Sequence, residues 1–344
     1  MSAFVWPKKI KNLIKDKMNT VKHLVISGGS FKGIAFLGVI ECLQRNQKLK
    51  IKQLETLAGS SVGAIIACFL VVGYNVAEIF KLIVDTKFQD LVDVHVSKLL
   101  THFGLDSGHR LVTVIKNCFI AKGFDPDITF EQLYAKTQQR LVITASCLGK
   151  GVTYFDYLSH PDLSVVVALR MSFGIPFLFT AVKYQGDYYV DGGLLDNCPM
   201  AILSKEAPDS IIIIRASYRH QPQLPAQSDS KDIDPETYLW LLMSTTLGEI
   251  ERLRLSATRQ LQSLSTIVVP TSELKIGSMV SITMVEKERL FKAGYLAAKK
   301  YLDSDAWLTL RVHSMPYHIM RQIWQSVHRK SFASVLCQLP RGDE

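Results

Sequence analysis

Ser61 stands in the middle of Gly59-Ser60-Ser61-Val62-Gly63, between a strand-like run and an apolar one. A serine so placed on a sharp strand-to-helix turn presents its hydroxyl at a helix start, where an acyl-transfer nucleophile is needed. Ser60, one residue earlier, misses the central position. A serine hydroxyl attacks a carbonyl only when a base takes its proton. The usual base is a histidine oriented by a carboxylate. Downstream lie His220, in a loop rich in Pro, Gln, Asp and Ser, and His313, His318 and His328, in a basic tail. None has a strand-end setting, and the upstream His23, His95, His102, His109 and His160 equally lack motif context. A carboxylate can serve as base directly if it lies within hydrogen-bond reach and partial burial raises its pKa. Asp191 ends the strand-like Tyr188-Tyr189-Val190 and precedes Gly192-Gly193, which suits that role. Asp187 and Asp196 are the neighbouring carboxylates.

The developing oxyanion also needs donors. His23-Leu24-Val25-Ile26-Ser27 stops at Gly28-Gly29-Ser30-Phe31-Lys32-Gly33, and an apolar helical stretch begins at Ile34. Glycines admit close backbone approach and a helix start favours negative charge, so this loop suits a phosphate or an oxyanion. A Walker loop requires Lys-Ser or Lys-Thr after its last glycine, where this chain has Ile34. A dinucleotide loop wants glycine where Ser30 stands. A plain tight turn is the alternative.

These groups need a sheet that brings three loops to one place. The first half alternates a strand at 23–27, a helix at 33–45, a strand near 54–58 and a helix from 62, the pattern of a parallel sheet covered on both faces. Residues 76–122 read as mostly helical with a break around 104–108. Strands are expected at 140–147, 153–157, 211–215 and 267–270, and a helix at 165–172. Residues 219–235 read as a flexible loop. The stretch 238–263 reads as a long helix with Leu239, Leu242, Met243, Thr246, Leu247 and Ile250 on one face. Core packing is its default role, and substrate cover or membrane contact the alternative. Residues 285–302 form a further helix with Leu290, Ala293, Gly294 and Ala297 at close-packing positions, and 318–339 an amphipathic one.

The chain of 344 residues is long enough for one large core, and no repeat or linker divides it. Its longest apolar stretch, 62–74, falls well short of the ~20 residues a bilayer requires. Six scattered cysteines without a Cys-x-x-Cys pair disfavour zinc and thioredoxin-type chemistry and suit buried thiols in a reducing compartment. The net charge of +9 is uneven, with five lysines against one aspartate in residues 1–20. Pro7 opens a helical pattern there, with Ile10, Leu13, Ile14 and Met18 on one stripe and Lys8, Lys11 and Lys15 beside it. This suits peripheral contact with an anionic membrane surface, or else a terminal helix with solvated lysines. The segment lacks the apolar core of a secretory signal, so a cytoplasmic protein is expected. No groove-reading motif supports nucleic-acid binding.

Taken in order, Ser27-Gly28-Gly29-Ser30-Phe31-Lys32-Gly33, Gly59-Ser60-Ser61-Val62-Gly63 and Asp191-Gly192-Gly193 resemble the patatin-like phospholipase family. Ser172-Phe173-Gly174-Ile175-Pro176, Asn197-Cys198-Pro199 and the helix from Glu286 to Leu302 strengthen the likeness, which covers residues 21–302. It leaves a basic amphipathic segment, 1–20, and a helical tail, 303–344. The resemblance implies a three-layer α/β/α fold with a mostly parallel central sheet and a Ser–Asp dyad that cleaves acyl esters of phospholipids or lysophospholipids. Ser61 would be the nucleophile and Asp191 the general base. Gly28, Gly29, Ser30, Phe31, Lys32 and Gly33 would form the oxyanion loop, with Gly59 and Gly63 shaping the elbow. No metal or cofactor is implied. Lys32 matches the family's basic position, whereas Ser30 replaces a glycine. If that position needs positive φ, serine costs about 1 kcal/mol there. The other readings are a conventional Ser-His-Asp esterase, decided by the downstream histidines, and a catalytically silent membrane-binding protein.

Overall fold

The computed structural model describes residues 21–86, 88–93, 101, 103–217, 235–257, 266–271 and 282–304. The basic segment 1–20, nearly all of the 219–235 loop, and the helix expected at 318–339 lie outside the described residues.

In chain order the sheet-forming half runs β1 (His23–Ile26), α1 (Gly33–Arg45), β2 (Thr56–Ser60), α2 (Val62–Val71) and α3 (Val76–Asp85). Then come β3 (Gly104–Asp106), α4 (His109–Ala121), α5 (Phe130–Thr137), β4 (Arg140–Cys147), β5 (Gly151–Phe155) and α6 (Val165–Ser172). The remainder is β6 (Phe177–Phe179), β7 (Val182–Tyr184), β8 (Asp187–Asp191), β9 (Ile211–Ala216), α7 (Pro235–Ala257), β10 (Thr266–Val269) and α8 (Met284–Asp303). Reciprocal capping boxes start α3 (Asn75 and Glu78), α5 (Thr129 and Gln132) and α8 (Thr283 and Glu286). Each satisfies two otherwise orphaned donors.

Eight strands make one sheet, in which β10-β9-β1-β2-β4 run parallel in that order while β5, β7 and β8 are antiparallel to their neighbours. Alternate residues sort to its two faces. Leu24, Ile26, Leu57, Leu141, Ile143, Ile212 and Ile214 join the large core with α1, α2 and α8. Val25, Ala58, Val142, Ile211 and Ile213 point the other way, onto Cys198, Met200 and Leu203. This is the expected mostly parallel sheet in a three-layer α/β/α fold. Cys42, Cys68, Cys118, Cys147 and Cys198 are buried free thiols. Among the described residues no helix is long and apolar enough to cross a membrane.

The strand registers bring two chain segments together. In β4, Thr144 pairs with Ser60 of β2 on one side and Tyr154 of β5 on the other, while Ala145 pairs with Asp191 of β8 and Thr153 of β5. A strand has two edges, so β2 and β8 lie along the same edge of β4. They run in opposite directions, and their C-terminal ends meet there, Ser60 and Asp191 opposite consecutive residues.

Several elements differ from the sequence expectation. The second strand is Thr56–Ser60 rather than 54–58, because a 3-10 turn at Ile51–Gln53 delays it and pairing with β1 and β4 carries it through Gly59 and Ser60. Sheet contacts override the weak β propensity of those two residues. The break at 104–108 contains a strand, β3, paired in parallel with β6 as a separate ribbon. Three-residue strands are too short to show alternation. The helix read at 238–263 begins at Pro235, and its residues 258–263 lie outside the described residues. Core packing describes α7 only in part: Leu255 packs on the smaller core, whereas Tyr238, Leu242 and Leu253 are exposed. Leu247, Ile250 and Leu255 wall a cavity of about 140 Å³ against the turn holding Gly193, Asn197 and Cys198.

Candidate active site

The strand-to-helix junction after β2 turns within one residue. Ser61 has φ 52 and ψ −126, outside the regions an L residue favours. Such strain, of order 1–3 kcal/mol, persists only where the surroundings over-determine it. Here the Ser61 carbonyl accepts from the Ala64 and Ile65 N–H groups at 3.0 and 3.2 Å, which starts α2. Gly63 makes the turn possible, since a Cβ on it would sit 2.3 Å from the Ile26 carbonyl oxygen. Gly59 likewise faces the backbone of Gly63, where a Cβ would lie 2.4 Å away.

The turn aims the hydroxyl at the end of β8. Ser61 Oγ donates to Asp191 Oδ2 at 2.7 Å, and the Gly193 N–H donates to Asp191 Oδ1 at 2.7 Å. Asp191 is only 6% exposed, and that burial pushes its carboxyl up to about 6 against the pull of the two hydrogen bonds. The carboxylate is thus more basic than an ordinary aspartate yet still ionised at neutral pH. The neighbouring carboxylates are engaged elsewhere. Asp187 pairs with Lys150 at 2.7 Å, while Asp196 accepts from the Tyr154 hydroxyl at 2.6 Å and lies 3.2 Å from the Arg254 guanidinium.

Among the described histidines, His23 lies 3.4 Å from Glu206, His160 packs edge-on against Phe155, and His109 opens α4. None is bonded to Ser61. His95, His102, His220, His313, His318 and His328 lie outside the described residues. Among those that are described, no group of three or more His, Cys, Asp or Glu side chains is placed to hold a metal ion.

The Gly28–Gly33 loop runs beside the elbow. A Cβ on Gly28 would lie 3.2 Å from Ser61 Cβ and 2.3 Å from Asn197 Oδ1. A 3-10 turn over Ser30–Lys32 leads into α1. The loop's amides are not equivalent. The Gly28 N–H donates to the Asn197 carbonyl and the Lys32 N–H to the Gly29 carbonyl, both at 2.9 Å. The Gly33 N–H turns back onto the carbonyls of Ser30 and Phe31. Burial pulls the Lys32 ammonium down, opposed by the Glu251 carboxylate of α7.

Ser30 has φ 49, the left-handed conformation that glycine adopts without strain. The departure from glycine therefore carries the cost anticipated from the sequence. Ser30→Gly is expected to stabilise the fold by about 0.5–1 kcal/mol, the relief exceeding glycine's added chain entropy. Urea denaturation of the two proteins checks this, and equal or lower stability of the glycine variant would refute it.

Two supports were not assigned roles from the sequence. The Ser61 N–H donates to Ser172 Oγ at 2.9 Å, and the Asp191 N–H donates to the Gly174 carbonyl at 2.9 Å. The only sequence signal for them is the run Ser172–Pro176 noted above. Asn197 joins the loop after Asp191 to Gly28 through its carbonyl and, at 3.4 Å, its Nδ2.

Several known proteins are similar to this chain. Probable lipid hydrolase 463L of Invertebrate iridescent virus 6 is 32% identical over 190 residues, covering 54% of this chain and 63% of that protein. The match thus spans less than two thirds of that relative. Uncharacterized protein R571 of Acanthamoeba polyphaga mimivirus is 26% identical over 305 residues, 86% of this chain and 96% of its own. The crystal structure of VipD from Legionella pneumophila shares the fold, with a TM-score of 0.60 at 18% identity over 83% of this chain and 67% of that one. The model of the patatin-like phospholipase family matches residues 24–204, from β1 through the elbow to beyond Asp191. That stretch is more than half of the chain, and on it the chain belongs to the patatin-like phospholipase family.

Proposed function

We propose that this protein hydrolyses fatty-acyl esters of phospholipids or lysophospholipids, with Ser61 as nucleophile and Asp191 as general base. The 2.7 Å hydrogen bond from Ser61 Oγ to a buried carboxylate of raised basicity carries the reading. As Oγ attacks the ester carbonyl, Asp191 takes its proton and the carbonyl oxygen becomes an oxyanion. Gly28, Lys32 and Gly33 spend their amides on the carbonyls of Asn197, Gly29, Ser30 and Phe31, and in this proposal Gly29 and Ser30, at the turn before α1, are the oxyanion donors. Phe31 and Lys32 complete the loop, and Gly59 and Gly63 shape the elbow. Collapse of the tetrahedral species expels the alcohol, which receives the proton from Asp191. Water, deprotonated by Asp191, then attacks acyl-Ser61; the second tetrahedral species collapses to the fatty acid, and the departing Ser61 Oγ takes the proton back from Asp191.

Family membership and the lipid-hydrolase description of the iridescent-virus relative support a lipid ester as substrate. Both functional side chains are present at bonding distance, which argues against a catalytically silent protein. Residues 21–302 form the hydrolase domain in this proposal. The lysine-rich segment 1–20 is assigned to an anionic membrane surface, on its charge and apolar stripe.

A fluorophosphonate probe tests the centre. The modified peptide is expected to carry the label on Ser61, and the labelling rate to rise with pH to a plateau, half-maximal near the Asp191 pKa of about 6. Labelling at another residue, or a rate unchanged between about pH 4 and 8, would sink the proposal.

A further inference from the structure

Both members of the dyad have their backbone N–H tied to one short segment. The Ser61 amide donates to Ser172 Oγ, and the Asp191 amide donates to the Gly174 carbonyl, each at 2.9 Å. Ser172 ends α6, and Gly174 lies two residues on. The helix ends at Ser172, and its closing turn ties down the next two residues, because the Phe173 N–H reaches the Leu169 carbonyl at 3.0 Å and the Gly174 N–H the Met171 carbonyl at 3.2 Å. Arg170 clamps it from outside, donating to the Ser107 and Thr180 carbonyls at 2.9 and 2.6 Å, with its guanidinium over the Phe173 ring. The nucleophile and its base are thus both anchored to the C-terminal turn of α6, although 130 residues of chain separate them.

Ser61 is the member that needs holding. Its left-handed backbone relaxes unless the peptide on either side is fixed. The carbonyl side is fixed by the start of α2 and the amide side by the Ser172 hydroxyl. Ser172 is completely buried, so it does not reach a substrate and acts only through Ser61. We infer that Ser172 is a positioning residue: its Oγ holds the Ser61 amide so that the strained elbow aims the nucleophile at Asp191. The inference rests on the Ser–Asp reading above.

Removing the acceptor leaves the Ser61 amide buried and unpaired, and frees the elbow to rotate. Displacements well under 1 Å matter in an attacking group. On a short-chain p-nitrophenyl ester, Ser172→Ala in the full chain is expected to lower kcat about 10- to 100-fold with KM within about twofold of wild type. The fluorophosphonate labelling rate falls by the same factor, while its pH midpoint stays where Asp191 sets it. Ser164→Ala is the control: it sits at the other end of α6, its buried hydroxyl without a hydrogen-bond partner among the described residues, and it keeps the wild-type rate. Ser172→Cys, of similar shape but a poorer acceptor, gives an intermediate loss and replaces the alanine variant should that fail to fold. A wild-type kcat in the Ser172 variants, or a loss confined to KM, overturns the inference. If Ser61→Ala is inactive while Ser172→Ala is fully active, only the positioning role falls. If Ser61→Ala stays active, the dyad reading itself falls.

Discussion

Ser61→Ala is expected to reduce ester hydrolysis about 10⁴- to 10⁶-fold, and Asp191→Asn about 10³- to 10⁴-fold, because one variant has no nucleophile and the other no base. Neither loss is a folding defect, and the two stabilities move differently. Ser61 is the donor to one oxygen of the buried Asp191 carboxylate, so Ser61→Ala is expected to cost about 1–3 kcal/mol of stability at neutral pH. Asp191 is a buried carboxylate whose pKa of about 6 exceeds its unfolded value. The folded state therefore holds its proton more tightly than the unfolded chain. Its contribution to stability is fully present below the unfolded pKa of about 3.9 and is lost as pH rises through the folded value. Above about pH 7 the ionised carboxylate is a standing cost of about 2–3 kcal/mol. Asp191→Asn removes that cost while keeping a group that can bond Gly193. Urea denaturation at pH 8 should show the variant more stable than wild type by about 2 kcal/mol, and at pH 4 the gap should close. An inactive Asp191→Asn with no gain at pH 8 would mean that the carboxylate is not held at the expense of stability.

Locally encoded elements were legible in the residues. Helix α1 follows the loop glycines and α2 the elbow, each starting where expected, and β4 and α6 carry continuous patterns of their own. Gly59 and Ser60 carry no strand signal; they are extended because β1 and β4 pair with them. The end-to-end meeting of β2 and β8 on one edge of β4 is set by long-range register, which no local pattern contains. Ser61 and Asp191 could be nominated from motif and strand-end position, but the N–H bonds that anchor them come from Ser172 and Gly174, with no periodicity to mark them. For α7, an apolar stripe suggested core, yet the helix turns Tyr238 and Leu242 to solvent and offers Leu247 and Ile250 to a cavity. Periodicity identifies an apolar face without saying what covers it.

The packing of α8 on α1 gives the second large effect, with opposing terms that fix its sign. Gly294 of α8 and Gly38 of α1 form a reciprocal notch. A Cβ on Gly294 would lie 1.7 Å from the Ala35 carbonyl oxygen, and one on Gly38 would lie 2.0 Å from the Phe291 carbonyl oxygen. Both obstacles are helix backbone, which cannot move aside as a side-chain tip can. Helix propensity alone predicts that Gly294→Ala gains about 1 kcal/mol. The steric term wins, because the helices must separate and loosen the contacts of buried Leu290 and Ala298. Overpacking of this kind costs about 3 kcal/mol or more where backbone is the obstacle, so a net loss of at least about 2 kcal/mol is expected. Gly248 on α7 supplies the comparison, since no atom of the described residues lies within 4 Å of its Cβ position. There the propensity term acts unopposed, and Gly248→Ala should stabilise by up to about 1 kcal/mol. Urea denaturation that found both variants stabilised would refute the close helix crossing. The crossing also bears on catalysis. Helix α1 begins at Gly33, where a Cβ would lie 2.6 Å from Val62 Cγ2 beside the nucleophile. A displaced α1 therefore shifts the oxyanion loop against Ser61, and folded Gly294→Ala should lose kcat as well as stability.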